Sequence, residues 1–329
     1  KEMKKGNGLI THNDLKSYSS KYREPIVGLY KDYKIISMGP PSSGGVLLVN
    51  MLNMLENFDL DALGWNSSDY VHLLTEVERR AYADRSEHLG DPDFWKIPIS
   101  MLTSKEYAKN RMKTFSKERA TLSTDISASK NIHNESIETT HYSVVDISGN
   151  AVSVTTTINL NYGSGIIVDG AGFFLNNEMD DFSSKPGVPN VFGLIGNEAN
   201  AIEANKRPLS SMTPTIVLKD DKPFMVIGSP GGSTIITTTL QNILNVIEFN
   251  MDIEEAVSSP RFHSQWLPDV IQIEPRSLPK DVLIKLKEKG HQVVPYRWGY
   301  IGEANGILIL EDGFYGGGDN RGETSAIGY

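Results

Sequence analysis

Five threonines, Thr139, Thr140, Thr155, Thr156 and Thr157, crowd into "IETTHYSVVDISGNAVSVTTTIN", residues 137–159, beside a lone His141. A Thr hydroxyl is a poor nucleophile and becomes a useful one only when a base adjoins it. The same residues also suit a purely structural role. Thr is β-branched and packs well on a pleated surface. The stretch alternates as a hairpin, with His141–Ile147 running out, a turn at Ser148-Gly149-Asn150 and Ala151–Ile158 running back.

Three further stretches carry groups that chemistry could use. "IGSPGGSTIITTTLQNIL", Ile227–Leu244, reads as strand, tight turn and helix. Gly231 and Gly232 would expose N–H groups at a helix N-terminus, where the dipole favours negative charge and where an oxyanion could be held. A plain tight turn explains the glycines equally simply. "LNNEMDDFSSKPGVPN" sets Glu178, Asp180 and Asp181 at the edge of a loop with two prolines, and "NKRPLSSMTPT" places Ser210 and Ser211 just before a strand. On local grounds these are a solvated acidic turn and a Ser-rich loop.

Other chemistries find little support. No Walker loop or nucleotide fingerprint is present, and Gly316-Gly317-Gly318 lacks a strand-to-helix frame. The seven histidines, His12, His72, His88, His133, His141, His263 and His291, show no metal-ligand spacing, so no metal is expected. No G-x-S-x-G frames a serine. Cysteine is absent, which excludes disulfides, Cys nucleophiles and Cys-based metal sites. Lys plus Arg number 32 against 41 Asp plus Glu, a net charge of −9 with no basic stripe, so a nucleic-acid partner is not expected. The longest apolar runs, such as Val46–Val49, fall far short of a membrane span. The apolar share of 39% suits a folded chain, and its length allows one large domain or two small ones. The chain opens Lys1-Glu2-Met3 in polar sequence with no visible signal peptide, which reads as a processed or truncated product.

The elements that must position these groups fall into two regions. The first reads helical. Ser43–Leu60 carries Val46, Val49, Met51, Leu52 and Leu55 after the stiff turn "GPPSSGG". Ser67–Leu89 is amphipathic, with Tyr70, Leu73, Leu74, Val77 and Ala81 at helical spacing, and Thr103 with Glu106 forms a capping box. Lys117–Ser136 is polar and aperiodic, the best boundary in the chain. Strands follow at Gly165–Asp169, Thr215–Leu218 and Phe224–Ile227, then helices from Thr234 to Phe249 and from Ile253. Strands recur at Val270–Ile273, Gln292–Val294 and Ile307–Leu310, with a helix Asp281–Lys289 closed by Gly290. The pattern is α+β, or a layered sandwich, not alternating βαβ.

Taken together, "TTHYSVVD", "NNEMDDFSSKPGVPNV", "NKRPLSSMTPTIV", "GSPGGSTIITT" and "PRFHSQWLPD" occur in the order seen in the γ-glutamyltransferases (γ-glutamyl transpeptidases), and the chain closely resembles the bacterial members. "GLITHNDL", "PPSSGGVLLVNMLNMLENFDL" and "AYADRSEHLGDPDF" look like the latter portion of that family's large subunit, so the likeness covers essentially the whole chain. The resemblance implies the four-layer αββα sandwich of the N-terminal-nucleophile hydrolases. It also implies a precursor that cleaves itself, here between Glu138 and Thr139, giving residues 1–138 as large-subunit sequence and 139–329 as the small catalytic subunit of a heterodimer.

Cleavage would give Thr139 a free α-amine. Such an amine titrates near ~7.7–8 and can take the hydroxyl proton. By resemblance, Thr139 is the nucleophile, Thr157 orients it, and Gly231 and Gly232 hold the oxyanion. Asn159, Glu178 and Asp181 hold the substrate α-amino group, and Ser210 and Ser211 bind its α-carboxylate. Pro186–Ala204 looks like the family's lid. The implied activity is γ-glutamyl transfer and hydrolysis, with glutathione as donor and water, an amino acid or a dipeptide as acceptor. No metal or organic cofactor is implied, and the location is periplasmic or secreted. Some relatives carry Gln where Glu178 stands, and often Tyr where Phe192 stands. The family's carboxylate-binding Arg lies upstream of Lys1, and no residue here matches it. A glutaryl (cephalosporin-type) acylase of the same fold, or an uncleaved homologue without activity, are the rival readings.

Overall fold

The computed structural model describes residues 1–126, 139–185, 187, 188, 190 and 194–328. In chain order its strands are β1 Ile26–Tyr30, β2 Tyr33–Ser37, β3 Thr140–Val145, β4 Ala151–Thr156, β5 Thr215–Lys219, β6 Lys222–Gly228, β7 Phe262–His263, β8 Ile271–Ile273, β9 Val293–Pro295, β10 Asn305–Leu310 and β11 Gly313–Gly318. Six of them form one antiparallel sheet in the order β1-β2-β5-β6-β10-β11. The β3–β4 hairpin is a second sheet, and β7, β8 and β9 form a small third one.

Helices cover one face of the large sheet. Gly44–Leu55 packs on β1 and β2, Thr234–Phe249 on β6, and Ile253–Ser258 on β10 and β11. The hairpin covers the opposite face, against β5, β6 and β10. The order helices, sheet, hairpin supplies three layers of an αββα sandwich. Tyr142, Val144 and Val152, on the hairpin's outer side, are about half exposed where the fourth layer would lie.

Ser68–His88 is more deeply set than an amphipathic surface helix. Of its 21 residues, 18 are buried, including Glu76, Glu78, Arg79, Arg80, Asp84 and Arg85. Charges go all round a buried helix only if each finds a partner. Glu76 receives Arg80 at 2.7 Å and the Thr121 N–H at 2.9 Å, and Arg80 also donates to the Arg111 carbonyl. Burial pushes the Glu78 carboxyl well up. The helix starts at Ser67, whose side chain accepts from the Tyr70 N–H.

The hairpin forms where its sequence pattern puts it, with Val145 opposite Ala151. Its turn is tied by Asp146, whose Oδ1 accepts from the N–H groups of Ser148 and Asn150, each at 2.9 Å. Gly149 takes a φ of +80°, open to glycine at no steric cost. The inward side is polar. Ser153 donates to the Ile227 carbonyl at 3.2 Å and accepts from the Thr215 N–H at 3.1 Å. Nδ1 of His141 lies 2.8 Å from Thr155 Oγ1 and Nε2 lies 3.1 Å from Ser143 Oγ. The two sheets therefore meet partly through hydrogen bonds.

Several boundaries differ from the sequence expectation. The first region is not all helical: "IVGLY" and "YKIIS" are β1 and β2, the outer strands of the large sheet. Gly165–Asp169 is not a strand; Ile167 makes only an isolated bridge to Phe174 within a run of turns. The helix after Thr103 is capped one residue later. Ser104 accepts from the Tyr107 N–H, while Thr103 donates to the Ile99 carbonyl, so no Thr103–Glu106 box forms. Gly316-Gly317-Gly318 closes β11.

Candidate active site

Thr139 immediately precedes β3, and Thr157 follows the last residue of β4. Thr140 pairs with Thr156, so the two hydroxyl residues lie together one position beyond the end of the ladder. Thr139 Oγ1 donates to Thr157 Oγ1 at 3.4 Å, and Thr157 Oγ1 accepts from the Asn159 N–H at 2.8 Å. Asn159 reaches that position with a φ of +75°. Its Nδ2 donates to the Asn177 carbonyl at 3.1 Å, which leaves Oδ1 as the acceptor it can offer a ligand.

Gly231 and Gly232 flank Thr139 from the other side. They have φ values of +137° and +54° and lead into the helix Thr234–Phe249. A Cβ on Gly231 would come within 2.5 Å of Thr234 Oγ1, so the turn needs glycine there. The turn is braced from behind. Tyr82 donates to the Ser233 carbonyl, and Ser233 donates to Gln265 Oε1 at 2.8 Å.

Two spaces meet at Thr139. The inner recess is lined by Thr139, Thr157, Asn159, Asp181, Leu194, Ser210, Ser211 and Gly232, with free space of about 20 Å³. The outer cavity, about 740 Å³, is lined by Thr139, Tyr162, Gly231, Trp298, Tyr300, Glu303 and Arg321 among others. Seven of the residues singled out in the sequence thus share the inner recess. Gly231 faces the outer cavity. Glu178 stands behind Asp181 and is joined to it through their carboxyls.

The acidic pair is not a solvated turn. Burial raises Glu178, and its Oε1 has no hydrogen-bond partner. Asp181 is raised well above the usual carboxylate range, by burial first and by the Glu178 charge second, while Arg85 pulls it partly back. A shared proton satisfies two such carboxyls; a bound cation would do so too.

The two serines are arranged as donors. Ser210 Oγ accepts from the Met212 N–H at 3.1 Å, and Ser211 Oγ accepts from Arg85 at 3.2 Å. Each hydroxyl has an inner acceptor contact filled, which leaves its O–H to point into the recess. Two convergent O–H donors suit an anion.

Glu138, the other half of the expected cleavage site, and Phe192 lie outside the described residues, as does part of the expected lid.

One cluster was invisible in the sequence spacing. His72, Glu76 and His291 bring potential metal-ligand atoms within 4.8 Å of one another. Nδ1 of His72 lies 2.7 Å from Nε2 of His291, and Nε2 of His72 lies 2.8 Å from the Ser116 carbonyl. Arg79, Arg80 and Thr121 occupy the Glu76 carboxylate. With two guanidinium groups on the only anion, the cluster is arranged as an ion-paired hydrogen-bond chain.

All 329 residues match a family described as gamma-glutamyltranspeptidase. The chain belongs to the gamma-glutamyltranspeptidase family. It is 50% identical to the glutathione hydrolase proenzyme of Escherichia coli strain K12, over 97% of this chain and 55% of that protein. It is also similar to a solved mutant of gamma-glutamyltranspeptidase from Helicobacter pylori, at 61% identity and a TM-score of 0.54, covering 56% of this chain and all of that one. The fold extends to the cephalosporin acylase of Bacillus halodurans, at a TM-score of 0.82 over 99% of this chain with 24% identity. These relatives place the chain in the α+β sandwich of this transpeptidase and acylase group. The chain spans about half the length of the curated relatives it matches. No helix among the described residues is long and apolar enough to cross a membrane.

Sequence reasoning missed several residues at this transpeptidase-like site. Arg85 lies in Ser67–Leu89, beyond the apolar positions that marked that helix. Asn200 donates to the Asp181 carbonyl at 2.7 Å and accepts from the Leu209 N–H at 3.0 Å, coupling the acidic turn to the serine loop. Tyr162, Trp298 and Tyr300 line the outer cavity from loops with no repeating pattern to betray them.

Proposed function

We propose that this chain carries the catalytic centre of an enzyme of γ-glutamyl transfer and hydrolysis, formed by cleavage between Glu138 and Thr139. The observation that carries the reading is the position of Thr139, within hydrogen-bond reach of Thr157 and at the junction of an ion-reading recess and a wide cavity. After cleavage the Thr139 α-amine accepts the Oγ1 proton. Oγ1 attacks the γ-carbonyl, and the Gly231 and Gly232 N–H groups bind the developing oxyanion. The C–N bond breaks, the protonated α-amine gives its proton to the leaving amine, and a γ-glutamyl ester on Thr139 remains.

Asn159, Asp181 and, through it, Glu178 hold the substrate α-ammonium. Ser210 and Ser211 hold its α-carboxylate. The outer cavity holds the leaving group and then the acceptor. Water releases glutamate; the amine of an amino acid or dipeptide gives a new γ-glutamyl peptide. Glutathione is the donor this chemistry fits, because its γ-glutamyl end carries both charges that the recess reads. The two pieces, residues 1–138 and 139–329, stay together as a heterodimer, and the location is periplasmic or secreted.

The experiment is denaturing electrophoresis and N-terminal sequencing of the full-length protein, followed by assay of glutamate release from glutathione. Two bands, one of them beginning at Thr139, with glutamate released, are expected. A single uncut band, or two bands neither of which begins at Thr139, would overturn the assignment of Thr139.

A further inference from the structure

The turn "PPSSGG" and Arg85 lie together beneath the serine loop. Ser43 donates to the Ser210 carbonyl twice, from its N–H and its Oγ, each at 2.8 Å. The Ser210 N–H donates to the Pro41 carbonyl at 2.9 Å, and Ser42 Oγ donates to the Met212 carbonyl at 2.6 Å. Gly44 closes the cradle, since a Cβ there would come within 2.3 Å of the Met212 carbonyl oxygen. Arg85, 3% exposed, spans the assembly. Its Nε donates to Ser43 Oγ at 2.9 Å and its terminal nitrogen to Ser211 Oγ at 3.2 Å.

We propose that Arg85 is a positioning and specificity-determining residue for the substrate α-carboxylate, acting through Ser211 and through the Ser42–Ser43 turn. The inference rests on the reading of Ser210 and Ser211 as carboxylate binders. A guanidinium that donates to Ser211 Oγ fills the inward lone pair of that oxygen, so the hydroxyl proton is directed to the recess. It also strengthens the hydroxyl as a donor, as hydrogen bonds in series do. The same guanidinium fixes Ser43, and Ser43 fixes the Ser210 backbone. One buried cation thus aims both hydroxyls, and its charge lies behind the place where an anion would arrive. Arg is required over Lys because the two serines are reached from two nitrogens of one rigid fork. Arg85 and the Ser42–Ser43 turn lie before residue 139, while Ser210 and Ser211 lie after it. A cleaved protein would build this subsite from both of its pieces.

The test uses the full-length protein and two chromogenic substrates, γ-glutamyl-p-nitroanilide and its analogue with the α-carboxylate converted to a carboxamide. Wild type should favour the carboxylate substrate. Arg85→Gln should raise its KM by about tenfold or more with a much smaller change in kcat, and should leave kcat/KM for the carboxamide analogue within about threefold. Arg85→Lys should restore part of the lost discrimination. Ser43→Ala should raise KM for the carboxylate substrate several-fold and spare the analogue; it carries the test if Arg85→Gln does not fold. Equal losses on both substrates would mean a scaffold role and overturn the inference. So would unchanged discrimination in Arg85→Lys and Ser43→Ala. A wild-type protein that cleaves γ-glutamyl anilide without discriminating overturns the inference and leaves the proposed function standing. A wild type that cleaves neither overturns both.

Discussion

The hydroxyls of Thr139 and Thr157 stand 3.4 Å apart although eighteen residues separate them in sequence. The antiparallel ladder brings them together, because its last pair, Thr140 with Thr156, delivers the flanking residues to the same end. Thr157 Oγ1 also accepts the Asn159 N–H, so its orientation is fixed by the backbone.

Thr157→Ala should therefore lower turnover while leaving the fold and the cleavage products unchanged. The loss of one hydrogen bond to the reacting oxygen corresponds to roughly 1–3 kcal/mol of transition-state stabilisation, about ten- to a hundredfold in kcat. The measurement is kcat on purified, fully cleaved protein. Wild-type kcat would reduce Thr157 to a strand-end residue.

The half-buried acidic pair separates the two enzymatic readings. A substrate α-ammonium supplies a cation that can sit against Asp181 and Glu178; a glutaryl substrate does not. The native enzyme should prefer γ-glutamyl over glutaryl anilide by orders of magnitude in kcat/KM, since a site built for a charged partner rejects the analogue lacking it. Asp181→Asn should erode that preference by losing the γ-glutamyl substrate, with glutaryl cleavage little changed. A native preference for glutaryl anilide would favour the acylase reading.

Gly228 and His141 make a steric pair across the two sheets. A Cβ on Gly228 would lie 2.3 Å from Cε1 of the His141 ring. Gly228→Ala should destabilise the protein by about 1–3 kcal/mol, as overpacking does. His141→Ala should relieve part of that cost in the double variant, a coupling that denaturant unfolding of the four proteins would reveal. Additive losses would show that the ring and the glycine do not interact.

Acidification should also weaken the fold through its buried histidines. Burial lowers both His141 and His263 to about 4, from an ordinary value of 6.5. Below pH 6.5 the unfolded chain takes up protons that the folded state refuses. Each group therefore removes stability progressively as pH falls to about 4, at roughly 1.4 kcal/mol per pH unit. Carboxyls raised by burial, such as Asp181, act in the opposite sense, so the readout is a difference. His263→Gln should show a shallower fall of unfolding free energy between pH 6.5 and 4 than wild type. Parallel curves would mean that His263 is protonated in the fold.

Much of this site was legible because its parts are local. The hairpin alternates, the glycine turn precedes a long apolar helix, and the acidic and serine stretches are short and unusual. What stayed hidden depends on distant partners. Nothing in the sequence around Arg85 shows that Ser43 and Ser211 surround it. "IVGLY" and "YKIIS" are short and were masked by the helical residues after them, yet they extend the sheet through pairing with "TIVLK", far along the chain. His72 and His291 met across 219 residues, a distance no motif spacing encodes.

The polar lining between the sheets has a mechanical meaning. Grease between two surfaces lets one slide over the other by a fraction of a residue; the donors and acceptors of Ser153, with Ile227 and Thr215 as partners, do not. A slip of one residue would turn Tyr142 and Val144 inward and His141 and Ser143 outward, breaking every such bond at once. The hairpin is thus keyed. It seats at a single depth, and the threonine at its leading end arrives at the same point in space each time the chain folds.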